Sequence, residues 1–266
     1  MSTAYETLIV EREGAIALIS INRPKALNAL NGQVLRELSR ALRELLEPGA
    51  GALAVRALIL TGAGEKAFVA GADIAEMAPM TPWQAREFSL LGHAAAELLE
   101  TLPCATIAAV NGYALGGGLE MALGCDLLYA AEGARLGAPE VNLGVIPGFG
   151  GTVRLAQRIG VARAKELIFT GEMIDARKAH ELGLALEVMP KDQLLPFCKG
   201  VAQKIAGKGP LAIARAKELI THSLSLPTAA ACAQEAESFA LLFDTNDRRA
   251  GMQAFLEKKT ATFTGT

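Results

Sequence analysis

The sequence predicts an α/β body that carries a helical C-terminal third. Short β-branched runs alternate with helically spaced apolar residues through the first half of the chain. After Gly151 the strand signal nearly vanishes and one helical pattern follows another. A chain of 266 residues that is 51% hydrophobic is also long and apolar enough to bury a sizeable core.

Residues 8–10 and 15–21 read as the first strands. Val34, Leu35, Leu38, Leu42, Leu45 and Leu46 then recur on one face of a helix, which Pro48-Gly49 stops. Residues 57–60, 105–110 and 127–130 read as further strands, and a second helix runs from about Pro82 to Leu102, ending before Pro103. Beyond Gly151, helical patterns cover residues 153–169, 175–182, 194–206, 211–224, 228–243 and 247–259, with one strand around residues 184–188. No repeat at solenoid or propeller periods and no low-complexity linker interrupts this order.

Composition removes several function classes. Lys and Arg number 26 against 28 Asp and Glu, with no long run of like charges, so nucleic acid is not an expected partner. No stretch reaches the uninterrupted apolar length of a membrane span, and no basic presequence precedes the strand after Tyr5, so a soluble, cytoplasmic protein is expected. Cys104, Cys125, Cys198 and Cys232 lack C-x-x-C spacing and read as reduced thiols. His93, His180 and His222 sit in helical patterns without metal-ligand spacing; they read as structural or surface residues, and no metal is expected. Trp83 and Tyr113 read as packing residues, with Trp83 in a segment that can line a pocket.

Four features can carry chemistry. Ala70-Gly71-Ala72-Asp73 is a small-residue turn entering a helix, where free backbone N–H groups point outward. The glycine cluster from Asn111-Gly112 through Gly116-Gly117-Gly118 to Glu120 joins a strand to a helix start, a place that favours developing negative charge. Glu140 lies among apolar and small residues after Pro139, and Ile146-Pro147-Gly148-Phe149-Gly150-Gly151-Thr152 is a rigid turn that launches the next helix. Taken singly, glycines before a helix solve turn and packing problems, Glu120 is an ordinary first-turn acid and Glu140 a solvated one. Neither glycine cluster supplies a phosphate-loop or dinucleotide fingerprint. Two acids in such apolar contexts are less ordinary.

At these residues the chain resembles the enoyl-CoA hydratase (crotonase) family. The resemblance runs over nearly the whole chain, through residues 22–30, 70–77, the glycine cluster ending in Glu120, Pro139-Glu140, residues 147–152, and the tail from Asp247-Arg248-Arg249 through Met252 to Phe255-Leu256-Glu257-Lys258. It implies a crotonase-like ββα spiral core over residues 1–200 and a helical trimerisation region over residues 201–266, in a homotrimer or a hexamer built as a dimer of trimers. It also implies that the N–H groups of Ala72 and Gly117 form an oxyanion hole for a thioester carbonyl, with Glu120 and Glu140 sharing acid and base work on one water. Lys25, Ala26, Leu27, Ala70, Gly71, Asp73, Ile74 and Gly148 are the implied contacts of an acyl-CoA substrate, joined by Phe255 and Lys258 from the tail or from a neighbouring subunit. Coenzyme A is then part of the substrate, and no cofactor is implied.

Crotonase folds host several reactions on one oxyanion hole. The resemblance associates an acid at both of these places with hydration and at one place with isomerisation, so the hydratase of fatty-acid β-oxidation type leads. The alternatives are an enoyl-CoA isomerase, a hydratase for branched or aromatic acyl chains, and a non-catalytic acyl-CoA-binding protein, which two intact acids argue against. Residues 77–90 and 143–146 are expected to line the acyl pocket, while Ala138 replaces a polar residue common in short-chain relatives.

Overall fold

The computed structural model of the chain describes residues 5–45 and 54–266. The expected stop of the first helix at Pro48-Gly49, and Leu46 before it, lie outside the described residues. In chain order come β1 (Leu8–Glu13), β2 (Ile16–Ile21), a 3-10 turn at Pro24–Ala26, α1 (Gly32–Glu44), β3 (Ala57–Gly62), β4 (Ala67–Val69), α2 (Ile74–Met77) and α3 (Pro82–Thr101). Next are β5 (Ala105–Val110), β6 (Tyr113–Leu115), α4 (Gly117–Leu123), β7 (Leu127–Ala131), β8 (Arg135–Gly137), a 3-10 turn at Pro139–Leu143, α5 (Gly151–Ile159) and α6 (Val161–Thr170). The chain ends through β9 (Met173–Asp175), α7 (Ala176–Glu181), β10 (Glu187–Met189), α8 (Lys191–Ala206), α9 (Pro210–Ser223), α10 (Thr228–Leu242) and α11 (Asn246–Leu256).

Two sheets organise these elements. The larger runs β1-β2-β3-β5-β7-β10, parallel except for the β1-β2 hairpin, and the smaller runs β4-β6-β8-β9. A strand of the large sheet is followed within a few residues by one of the small sheet and then by helix at β3-β4-α2, β5-β6-α4 and β7-β8-α5. This is a ββα spiral. Its small-sheet strands are three residues long, too short for an alternating pattern to register in the sequence.

The inner strands of the large sheet, β2, β3, β5 and β7, are buried on both faces, which is why they read as continuous apolar runs. Along β3, Leu58 and Leu60 face a core shared with α1, α3 and the small sheet, whereas Ala57 and Ile59 face the other way. Helix α8 closes that second face with Leu194, Cys198 and Ala202, spaced four apart on one helical stripe. The expected single helix over residues 153–169 is two helices. Gly160 holds φ +84°, ends α5 and starts α6, so the chain turns where a side chain would resist turning. The strand expected at residues 184–188 is shifted to Glu187–Met189, since Leu184 and Ala185 belong to the buried approach to it.

The C-terminal helices are tied to the body by polar bolts. Lys217 on α9 donates to the Leu99 and Cys104 carbonyls at 3.0 and 3.1 Å and pairs with Asp126 at 2.9 Å, its side chain only 8% exposed. Asp247, buried at the start of α11, accepts the N–H groups of Thr264 and Gly265 at 2.6 and 2.9 Å and so fixes the chain's last residues. Removing one partner of a buried pair strands the other's charge. Lys217→Met is therefore expected to cost about 2–3 kcal/mol, discounted because Asp126 stays partly exposed, and to lower the urea midpoint. An unmoved midpoint would mean that α9 is held by packing alone.

Candidate active site

The strands of the spiral deliver their connections to one region, where a cavity of about 540 Å³ is walled by residues of five segments. Ala70, Gly71, Ala72 and Ile74 come from the β4-to-α2 turn, and Gly116, Gly117 and Glu120 from the start of α4. Glu140 and Leu143 come from the 3-10 turn, and residues 145–150 from the turn before α5. Helix α3 supplies the remaining wall with Ala85, Phe88, Ser89 and His93.

The β4-to-α2 turn is held in place by the segment around Arg23. Leu30 pairs with the extended Ala72: its N–H reaches the Gly71 carbonyl and its carbonyl takes the Asp73 N–H, both at 2.8 Å. In an extended backbone successive N–H groups point to opposite sides, so the Ala72 N–H faces away from Leu30. Among the described residues it has no backbone acceptor. Arg23 braces the same turn, donating to the Ala29 carbonyl at 2.6 Å and pairing with Asp73 at 3.0 Å. Asn28 is buried with its amide shared between the Ala63 and Ala67 carbonyls, each at 2.9 Å, and its oxygen on the Arg23 N–H.

The second free donor comes from helix α4. Gly117 is its first residue, so its N–H has no partner within the helix, and no side chain caps it. Gly116, just before, has φ +49°, and a Cβ placed there would lie 2.6 Å from Glu140 Oε1. Only glycine permits both the conformation and the approach of that carboxylate. The other cluster glycine, Gly118, lets α4 pack on the Val69 carbonyl, 2.0 Å from where a Cβ would stand.

Glu120 follows one turn along α4 and is 2% exposed. Its Oε1 accepts the N–H groups of Phe149 and Gly151 at 2.8 and 2.6 Å. Burial pushes its carboxyl up to about 7; the two N–H donors and the Arg154 cation pull it down, the Glu140 charge adds to the rise, and burial prevails. Burial also raises Glu140, whose Oε2 is enclosed without a hydrogen-bond partner among the described residues. Two carboxyls thus face one cavity, both displaced toward the protonated form. Phe149 turns its ring onto Phe88, edge to face at 5.4 Å, in space that Gly92 leaves open.

The family model described as Enoyl-CoA hydratase/isomerase matches residues 11–266. The chain belongs to the enoyl-CoA hydratase/isomerase family. It is 45% identical over 260 residues to a crotonyl-CoA hydratase of Syntrophomonas wolfei, covering 98% of each chain. It is 46% identical over 252 residues to a short-chain-enoyl-CoA hydratase of Clostridium acetobutylicum, covering 95% of each. A crystal structure of an enoyl-CoA hydratase from Bacillus anthracis superposes with a TM-score of 0.94 at 42% identity, over 98% of this chain and all of that one. The ββα spiral with its helical C-terminal region is the fold of that enoyl-CoA hydratase structure.

Of the residues singled out in the sequence, Ala70, Gly71, Ala72, Ile74, Gly117, Glu120, Glu140 and Gly148 line this family member's cavity. Asp73 stands just outside as the N-cap of α2, held by Arg23. Lys25, Ala26 and Leu27 form an exposed 3-10 turn that touches the site's frame through the Leu27 carbonyl, which accepts the Ala70 N–H at 3.1 Å. Phe255 and Lys258 stand on and just after α11, outside the cavity wall, with Phe255 83% exposed. Trp83 projects from α3 under the Arg86 guanidinium and takes no part in the wall. His93, read as structural or surface, is exposed yet also part of the wall beside Gly150. Ser89 lies in the segment 77–90 that was expected to line the pocket, and it donates to the Gly148 carbonyl at 2.5 Å. The signal was present as one helical face, Ala85, Ser89 and His93 at intervals of four.

The raised carboxyl of Glu120 has a stability consequence with a definite sign. Its folded value of about 7 exceeds the ordinary 4.5, so the folded state holds its proton more tightly. The stability so gained is complete below the unfolded value and is lost as pH rises through the folded one. Wild type should lose about 3 kcal/mol between pH 4.5 and 8 from this group, and Glu120→Gln should lack that component. Urea titrations of both proteins at pH 5 and pH 8 check it; equal slopes would show that Glu120 ionises as freely folded as unfolded.

Proposed function

We propose that the chain is an enoyl-CoA hydratase that adds water reversibly across the double bond of a trans-2-enoyl-CoA, giving a 3-hydroxyacyl-CoA. The observation that carries this reading is the pairing of a buried carboxyl, Glu120, and a half-buried one, Glu140, with two unpartnered backbone N–H groups, Ala72 and Gly117, around one cavity. The thioester oxygen accepts from both N–H groups. One water rests between the carboxyls; as its oxygen bonds to C3, a carboxylate takes its proton, a carboxyl delivers a proton to C2, and no net charge remains. Negative charge gathers meanwhile on the thioester oxygen as an enolate, and fixed donors aimed there need no reorganisation. Loss of one such donor costs about 3 kcal/mol in other enzymes. The start of α4 adds its positive dipole end at the same oxygen.

Ala70, Gly71, Ile74 and Gly148 bind the substrate along the cavity wall, and Lys25, Ala26, Leu27 and Asp73 receive the coenzyme A portion at the frame beside it. Met77, Phe88, Leu143, Val145 and Ile146 supply an apolar acyl wall. A short chain of the crotonyl type suits it, in line with the relatives named for crotonyl-CoA and short-chain enoyl-CoA. Coenzyme A enters as part of the substrate, and the proton traffic needs no further cofactor. The four cysteines are free thiols, which fits the cytoplasm, and among the described residues no helix is long and apolar enough to cross a membrane.

Hydration of crotonyl-CoA, followed as loss of the conjugated enoyl-thioester absorbance, tests the activity. Glu140→Gln and Glu120→Gln are each expected to lower turnover at least ~10²-fold with coenzyme A affinity nearly intact. The double variant should be much less damaged than the product of the two, since both acids serve one water. Strictly multiplicative losses would assign the carboxyls to independent roles, and unchanged turnover in either single variant would remove that residue from the mechanism.

The same reading makes residues 201–266 an oligomerisation region on a core of residues 1–200. Phe239, Leu241, Phe255 and Leu256 are exposed on α10 and α11, and α10 buries none of its residues within the chain. Apolar faces of that kind mark an interface. A trimer or a hexamer of two trimers buries them and brings Phe255 and Lys258 toward a coenzyme A site. Light scattering should report one of those masses, and truncation before Pro227 should give aggregated or inactive protein. A fully active monomer contradicts the assignment.

A further inference from the structure

We propose that Arg154 is a positioning residue for hydration: it clamps the turn whose Phe149 and Gly151 N–H groups hold the Glu120 carboxyl. The inference rests on the hydratase reading and names a residue to which that reading gives no part. Arg154 sits in the first turn of α5, and its side chain folds back over the turn that launches the helix. Nη1 donates to the Phe149 carbonyl at 3.2 Å, while Nε and Nη2 donate to Glu100 Oε2 on α3 at 3.2 and 2.7 Å. The guanidinium therefore spans from α3 to the Phe149–Gly150 peptide, which lies between the two peptides that carry the Glu120 donors.

Gly150 is built around this clamp. A Cβ at that position would lie 2.2 Å from Arg154 Nη1, and the residue holds φ +105°. Phe149, Gly150 and Gly151 thus form a turn pinned at its carbonyl by Arg154 and at its N–H groups by Glu120. The pair is half-enclosed, with side chains 16% and 28% exposed. A fixed guanidinium fork holds geometry that a flexible ammonium cannot reproduce. Placement within a fraction of an ångström decides how well a carboxyl meets its water, and a displacement of 1 Å can cost about 10²-fold in rate.

Charge follows the same geometry. The groups that bear on Glu120 are the Phe149 and Gly151 N–H groups, the Glu140 carboxyl and the Arg154 cation. Glu100 offsets part of that cation from α3, and His93 on the same helix stands beside Gly150. Arg154 lowers the Glu120 carboxyl against the rise caused by burial. Its loss should move Glu120 further up.

The test uses full-length wild type, Arg154→Gln, Glu100→Gln and Glu120→Gln, with crotonyl-CoA as substrate. For Arg154→Gln, kcat should fall about 10- to 100-fold with KM within about threefold. The ionisation in kcat/KM that disappears in Glu120→Gln should move to higher pH. Glu100→Gln, which frees the guanidinium but keeps its charge, should lower kcat less and should not move that ionisation to higher pH. Unchanged kcat and pH profile in Arg154→Gln would overturn the proposal. So would a loss that tracks the folded fraction, recovers on cooling and leaves the pH profile still. If Arg154→Gln does not fold, Glu100→Gln decides: wild-type kcat there overturns the clamp. Absence of hydration by wild type would instead overturn the hydratase reading.

Discussion

Two peptide N–H groups, those of Phe149 and Gly151, hold the Glu120 carboxyl inside an apolar wall at 2.8 and 2.6 Å. Backbone donors suit this task because they carry no charge to neutralise the acid and no rotamer to wander. They leave the carboxyl near neutral affinity for its proton, where a lysine or arginine in direct contact would have pulled it into permanent ionisation. Much of the surrounding structure serves that contact. Helix α4 supplies the acid, the turn before α5 supplies the donors, α3 supports the turn through Ser89 on Gly148, and Gly92 leaves room for the Phe149 ring.

The two N–H groups proposed as oxyanion donors obey the same logic of bare backbone. Ala72 keeps its N–H free because Leu30 occupies the groups on either side of it, and Gly117 keeps its own because a helix leaves its first N–H groups unpartnered. Large side chains would block both places. The small residues of residues 70–72 and 116–118 are therefore a consequence of close packing, with Gly118 against the Val69 carbonyl and Gly116 against Glu140. Arg23 and Asn28 play a corresponding part outside the cavity by spending their polar atoms on backbone groups of the frame.

The C-terminal helices contrast with this body. They are joined to it by a few polar contacts, Lys217 on the Leu99 and Cys104 carbonyls and on Asp126, and Arg56 on the carbonyl of Phe263 in the tail that Asp247 fixes, and they turn aromatic and leucine side chains outward. Exposed apolar surface of this extent is the ground on which the oligomer is proposed.

Local sequence was enough to determine what depends on local periodicity and on strong punctuation. The five longer strands expected in the large sheet, the helix closed by Pro103, and the helical C-terminal third all follow from apolar spacing that neighbouring residues share. The motifs around Ala72, Gly117, Glu120 and Glu140 were also readable, because small residues beside acids in apolar runs break the ordinary pattern. The three-residue strands of the small sheet were not, since each owes its pairing to a partner far away in the chain, nor was the break at Gly160, where a positive φ interrupts apolar spacing that runs on past it. The reach of Arg154 to Glu100 belongs to the same class. Tertiary structure alone decided them, because a hydrogen bond across 54 residues leaves no periodic trace in the segments that it joins.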